Sequence, residues 1–257
     1  MRQFRFVLAV LSAFALAACG SRGTNALPSS TTSSSVPSTG ASAPTTSTSS
    51  PVASIAPYLA LWPFRSAGEV QSWQQAYQSN GEGSWHLDAA TTALDFTMSY
   101  LGLNEINVVV SMTRNATGAH AAVGYRPTSS HASTAAVIHL VRWGTGNDAP
   151  WEVVGTDDTT FSLTAPAYGA TVSSPFRVGG AITGVDESIR VAVLQPSSVS
   201  PLGTFCCQAA GGNASPWSAT VSFANASDPI VTVVATTGGH VQAVERFTVT
   251  GVHPASN

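Results

Sequence analysis

The apolar residues of this chain change period once, and that change constrains the fold more than any other feature. Between Val70 and Leu101 they recur at helical spacing; from Ile106 onward they recur at every second position. Ser66-Ala67-Gly68-Glu69 reads as a capping box, with Ser66 as N-cap and Glu69 reaching back. Val70, Trp73 and Tyr77 follow on one helical face, and Asn80-Gly81 ends the helix. Asp88 caps a second helix whose apolar face is Ala90, Ala93, Leu94, Met98 and Leu101, and Gly102 stops it.

Strands follow. Ile106, Val108, Val110 and Met112 alternate on the first, and Ala121, Val123 and Tyr125 on the second. Ala135 to Trp143 is a third, and Trp151-Glu152-Val153-Val154 a fourth. Asn115 to Gly118, Pro127 to Ser130 and Gly144 to Asp148 separate them as turns. The expectation for residues 57–160 is therefore an α+β domain, two helices packed on an antiparallel sheet. In element order it resembles the cone-shaped folds of the nuclear-transport-factor-2 type. Past Phe161 the short runs 176–182, 189–194, 217–223, 230–235 and 241–249 alternate with turn residues and contain no helical pattern. That spacing predicts an all-β sandwich over 161–252.

Two resemblances bear on this layout. Leu61-Trp62-Pro63-Phe64, Trp73 and Trp85-His86-Leu87-Asp88 resemble the N-terminal region of actinobacterial lipoproteins. Leu163 to Pro166, Gly169-Ala170-Thr171-Val172-Ser173-Ser174-Pro175 and Phe176-Arg177-Val178-Gly179-Gly180 resemble the bacterial spore germination immunoglobulin-like domain. The second resemblance covers roughly 161–252 and implies an immunoglobulin-like sandwich. Asp186-Glu187 stands where that family tends to carry Phe-Glu.

The chain begins with Arg2 and Arg5, then an apolar run from Phe6 to Ala18. That run is shorter than the ~20 residues of a bilayer span but matches the core of a secretory signal. Leu16-Ala17-Ala18-Cys19 resembles the lipobox of bacterial lipoproteins. The resemblance implies cleavage before Cys19, acylation of its thiol and attachment to the outer face of the cell membrane. An ordinary signal peptide with an incidental cysteine is the alternative. Residues 20–56 are more than half Ser or Thr, with Pro28, Pro37, Pro44 and Pro51 spaced through them and no aromatic residue. Such a composition cannot offset chain entropy by burial and predicts a disordered linker, a spacer or an O-glycosylated stalk.

All ten basic residues are arginine. Removing the signal leaves eight against thirteen acids, a poor counterion for a phosphate backbone, so nucleic-acid binding is not expected. The absence of lysine excludes a P-loop, a Schiff base and Ser-Lys catalysis. The chain contains no Gly-x-Ser-x-Gly, His-Glu-x-x-His or Cys-x-x-Cys. His120 and His139 lie on strands and could share one face with Trp143, either as metal ligands or as ordinary hydrogen-bonded histidines. Asp157-Asp158 and Asp186-Glu187 are oxygen-rich pairs that could hold calcium only with further ligands. Cys206-Cys207 is read either as two thiols or as a vicinal disulfide, since the compartment is oxidising.

The sequence thus predicts a non-catalytic, lipid-anchored envelope protein that binds or scaffolds, without cofactor or metal. Its partners would be the membrane, through the anchor, and a cell-wall glycan or envelope protein; the germination-type resemblance points to germination or cell-wall processes. Trp62, Trp85, His86 and Trp143 are the candidate binding residues, since tryptophan is enriched among binding hot spots. The alternative is a small-ligand carrier or enzyme using a pocket in the first domain.

Overall fold

Two antiparallel arrays and a short helical prelude make up the computed structural model, which describes residues 55–127 and 131–255. The signal segment with Cys19, nearly all of the 20–56 linker and the tip of the Pro127–Ser130 turn lie outside the described residues. Among the described residues no helix is long and apolar enough to cross a membrane.

Helix α1 spans Ala67–Asn80. The Ser66 hydroxyl accepts from the Glu69 amide at 3.2 Å, and the Glu69 carboxylate in turn accepts from the Arg65 amide at 2.7 Å. Gly81 closes the helix at φ 75°, a left-handed cap that glycine adopts without Cβ strain. A 3-10 turn, Ser84–Leu87, leads into α2, Ala89–Asp95, whose first turn is capped by Asp88 through the Thr91 amide at 2.7 Å. A π turn over Phe96–Tyr100 continues it. The first sheet has the order β1 (Val108–Arg114), β2 (Gly118–Tyr125), β3 (Ser133–Arg142), β4 (Trp151–Thr156). The second has the order β5 (Thr171–Val172), β9 (Arg246–Pro254), β8 (Val231–Thr237), β6 (Phe176–Leu194), β7 (Gly203–Val221). Every pairing is antiparallel except β5 with β9.

The expected fold class needs correction. The protein is mostly β, with two short helices and two sheets, and it has no N-terminal domain of two helices packed on a sheet. The reason is visible in what each helix buries. In α1 only Val70 and Gln74 are buried. Val70 joins Ala60, Phe64 and Trp143 in a small satellite cluster, while the Gln74 amide donates to the Thr145 and Asp148 carbonyls at 2.9 and 3.1 Å. Helix α1 is therefore fastened to the β3–β4 loop rather than laid across the sheet. The π turn also shifts the face of α2, so that Phe96 and Thr97 are buried where the helical period pointed to Met98.

Nor does the first sheet own its core. Ile138, Leu140 and Val153 share one apolar cluster with Leu194, Val234, Phe247 and Val249 of the second sheet. The described residues form one compact unit. The long β6–β7 hairpin breaks register between Ile182 and Glu187, and its two halves contribute Val178, Trp217 and Val221, and Ile189, Val191 and Val193, to a second cluster. Near its start the backbone passes so close to Ser162 that a Cβ on Gly180 would lie 2.0 Å from the Ser162 carbonyl oxygen.

Strand β4 explains how the chain's first ordered residues are used. Trp151 to Gly155 are all buried, without the alternation of a half-exposed strand. Its outer edge is covered by the 61–62 segment: the Val153 amide donates to the Trp62 carbonyl at 2.7 Å, and the Leu61 amide to the Val153 carbonyl at 3.0 Å. That short pairing carries Tyr58 and Leu59 onto the seam between the sheets.

Candidate functional site

The seam holds a cleft of about 460 Å³ lined by Tyr58, His139, Asp158, Tyr168, Thr248 and Thr250, together with backbone of β4. Each side chain arrives by a different route. His139 comes from β3, Thr248 and Thr250 from β9, Asp158 from the segment after β4, and Tyr168 from the turn before β5. The Tyr168 hydroxyl is clamped by the backbone of Leu59: it accepts from the amide at 2.6 Å and donates to the carbonyl at 3.3 Å. Burial pushes this phenol up to about 12, against the opposing effect of the Leu59 hydrogen bond. The rings stay accessible, Tyr58 at 37% and Tyr168 at 42% exposure.

His139 joins the cleft to a titratable cluster beside it. Tyr58 packs against its ring at 83°, with centroids 5.1 Å apart. On the other side His120, its cross-strand partner, stacks on it with centroids 4.4 Å apart. Nδ1 of His120 lies 2.7 Å from Oδ2 of Asp157. Burial lowers the His139 basicity, the neighbouring His120 adds to this, and Asp157 opposes it. Asp158 is exposed and makes no hydrogen bond or ion pair with another described residue. Among the described residues no group of three or more His, Cys, Asp or Glu side chains could hold a metal ion.

The tryptophans singled out from sequence lie elsewhere. Trp62, Trp85 and His86 meet in one aromatic ladder. Trp62 packs on Trp85 at 5.6 Å between centroids, Trp85 on His86 at 3.5 Å, and His86 on Phe64 and Trp73 at 4.9 and 5.1 Å. Trp62 and Trp85 are half-buried, His86 is buried, and Trp143 is buried in the satellite cluster. No tryptophan is among the exposed large apolar residues. A broad depression of about 830 Å³ does run past Trp62, Phe64, Arg65 and Glu69, but it is open and held by the Arg65–Glu69 pair.

Two buried titratable groups flank Phe64. Glu152 is fully buried; its Oε2 accepts from the Phe64 amide at 3.1 Å and its Oε1 has no partner. Burial drives this carboxyl well above the ordinary carboxylate range. His86, whose Nδ1 likewise has no partner, is held down to about 4 by burial.

The remaining sequence candidates fall outside the cleft. Glu187 is buried and paired with Arg246, and its Oε2 accepts from the Thr237 hydroxyl at 2.6 Å. Asp186 sits at the corner of the long hairpin at φ 53°. The structure joins the sulfurs of Cys206 and Cys207 on β7, the outer strand of its sheet. The sequence reading missed Tyr58, Asp158 and Tyr168 as a group. The signal available was weak: two tyrosines outside any periodic run and an aspartate pair at the end of a strand.

Compared with protein families, with curated proteins and with solved structures, the chain matches none.

Proposed function

We propose that this protein is a non-catalytic binding module of the bacterial cell envelope, tethered to the outer face of the membrane by a lipid on Cys19. Its ligand is a cell-wall glycan held in the Tyr58–Tyr168 cleft. The observation that carries this reading is the composition of the cleft: two half-exposed tyrosine rings, a partnerless carboxylate and the exposed Thr164. Aromatic faces meet the apolar faces of sugar rings, while hydroxyls and carboxylate meet their polar edges. The Ser/Thr/Pro composition of residues 20–56 is in keeping with a spacer between such an anchor and the cleft. The germination-type resemblance suggests a place in germination or cell-wall processes.

The test is a titration of the purified protein with soluble peptidoglycan fragments and oligosaccharides, alongside Tyr58→Ala. Loss of one aromatic contact, worth about 0.5–1.5 kcal/mol, should weaken binding roughly two- to tenfold. Unchanged binding of every saccharide by the variant would sink the assignment of the cleft.

One observation favours the rival reading, an enzyme. The Asp157–His120 contact could orient an imidazole as a general base. That reading predicts a hydrolytic activity lost in His120→Ala with folding intact; a screen across ester, amide and glycoside substrates decides it.

A further inference from the structure

We propose that the cleft selects a saccharide bearing a free ammonium group, an amino sugar without its N-acetyl cap. The inference rests on the glycan reading and names the chemistry that the site would discriminate.

The argument begins with charge. Two carboxylates stand together at the end of β4. Asp157 is committed to His120, whereas Asp158 faces the cleft with no described partner. No arginine lines the cleft, and the chain has no lysine, so nothing of the protein's own neutralises Asp158 there. His139 is the one basic group in the lining, and burial disfavours its charged form. The cleft therefore presents a net negative charge beside two tyrosine rings.

A ligand that covers this cleft removes water from Asp158. A neutral sugar would leave the carboxylate desolvated without a counter-charge, and an anionic one would add repulsion. A protonated amine reverses both effects. It pairs with Asp158 and can lie against the rings of Tyr58 and Tyr168, whose faces attract cations. The Thr164 hydroxyl remains for the uncharged hydroxyls of the ring. Acetylating the amine would remove the charge and cancel this advantage while leaving the aromatic contacts in place.

The experiment compares two probes on the full chain by calorimetry, in mildly acidic buffer where the sugar amine is protonated: a glucosamine tetramer and an N-acetylglucosamine tetramer. The glucosamine tetramer should bind about fivefold more tightly or better, the range of a partly shielded ion pair with a cation–π contact. Asp158→Asn should erase that preference by weakening the glucosamine tetramer, while the acetylated tetramer, with no carboxylate left to desolvate, binds at least as well as to the parent. Asp158 is exposed and partnerless among the described residues, so the variant should keep the thermal midpoint of the parent. Equal binding of both tetramers, or a preference that survives Asp158→Asn, would overturn this inference and leave the glycan reading standing. Binding of neither tetramer, nor of any other saccharide, would instead remove the glycan reading itself. A lysine-bearing peptide that competes as well as the glucosamine tetramer would show a peptide ammonium to be the ligand and overturn the sugar assignment.

Discussion

Replacing His86 by phenylalanine should make the protein gain stability relative to the parent when the medium is acidified from pH 6.5 to pH 4.5. His86 is held at about 4 in the fold against an ordinary value of 6.5, so between these pH values the unfolded chain takes up a proton that the folded chain refuses. Folded stability therefore falls as pH drops, at up to about 1.4 kcal/mol per unit and by about 2 kcal/mol from pH 6.5 to 4.5, since the unfolded imidazole is already half protonated at the upper end and the folded one begins to protonate at the lower. Glu152 works in the opposite sense. Its folded carboxyl is raised well above the ordinary 4.5, so above that value the unfolded chain releases a proton that the folded chain keeps. Its contribution is full below 4.5 and is lost as pH rises, with the same slope wherever the buried carboxyl keeps its proton. In the parent the two slopes oppose each other across this window. Phenylalanine in place of His86 keeps an aromatic ring beside Trp85 and Phe64 and removes the His86 slope, so that on acidification the variant gains about 2 kcal/mol relative to the parent. The companion variant, Glu152→Gln, keeps the shape and leaves the His86 slope alone, a comparable loss. Urea unfolding followed by tryptophan fluorescence at several pH values measures both. Other groups, such as the Glu245 carboxylate that accepts from the His240 and Val241 amides at 2.7 Å, act equally on parent and variant and cancel in the difference. If His86→Phe merely offsets the parent curve in parallel at every pH, the argument from burial is wrong.

Gly180→Ala should lower stability by about 2 kcal/mol or more, because a Cβ 2.0 Å from the Ser162 carbonyl forces backbone apart; a thermal midpoint equal to the parent's would refute the close approach. Cys19→Ala should move the protein from the membrane fraction to the soluble one, and unchanged partition would end the lipid-anchor proposal. Intact mass after alkylation should show no alkyl group on Cys206 or Cys207 before reduction and two afterwards; two groups before reduction would rule out the bond between them.

Local signals in the sequence were legible because they act over one turn. Ser66 and Asp88 cap their helices through the Glu69 and Thr91 amides, and Gly81 takes the left-handed conformation that ends α1. What could not be read was how much of the core each helix would own. Val70, Trp73 and Tyr77 form an apolar stripe, yet Trp73 stacks on Tyr77 with centroids 5.4 Å apart while only Val70 and Gln74 of α1 are buried. A stripe says that a face wants cover, not which element provides it. The aromatic residues of α1 are covered largely by each other and by the 60–64 segment, so the sheet keeps its face for α2 and for β9. Glu152 did leave a trace. A lone acid between Trp151 and Val153-Val154 is costly in a buried strand, so it marks a position where an outside donor, here the Phe64 amide, must arrive.

The cleft was harder to foresee for a geometric reason. His120 and His139 are cross-strand neighbours across one turn, and their meeting follows from register alone. Tyr58, Asp158, Tyr168 and Thr248 belong to separate segments joined only by the closing of two sheets on a shared core. The decisive contact, Tyr168 to the Leu59 backbone, spans 109 positions and depends on the 61–62 segment pairing with β4. Nothing periodic marks a tyrosine between an alanine and a glycine, or one that follows a proline. Their value comes from position: they are large rings left half-exposed in a chain whose tryptophans are all at least partly buried. A search for binding residues by residue type therefore goes to the tryptophans, which the fold uses for packing. The residues left to meet a ligand are those whose neighbours stop short of covering them.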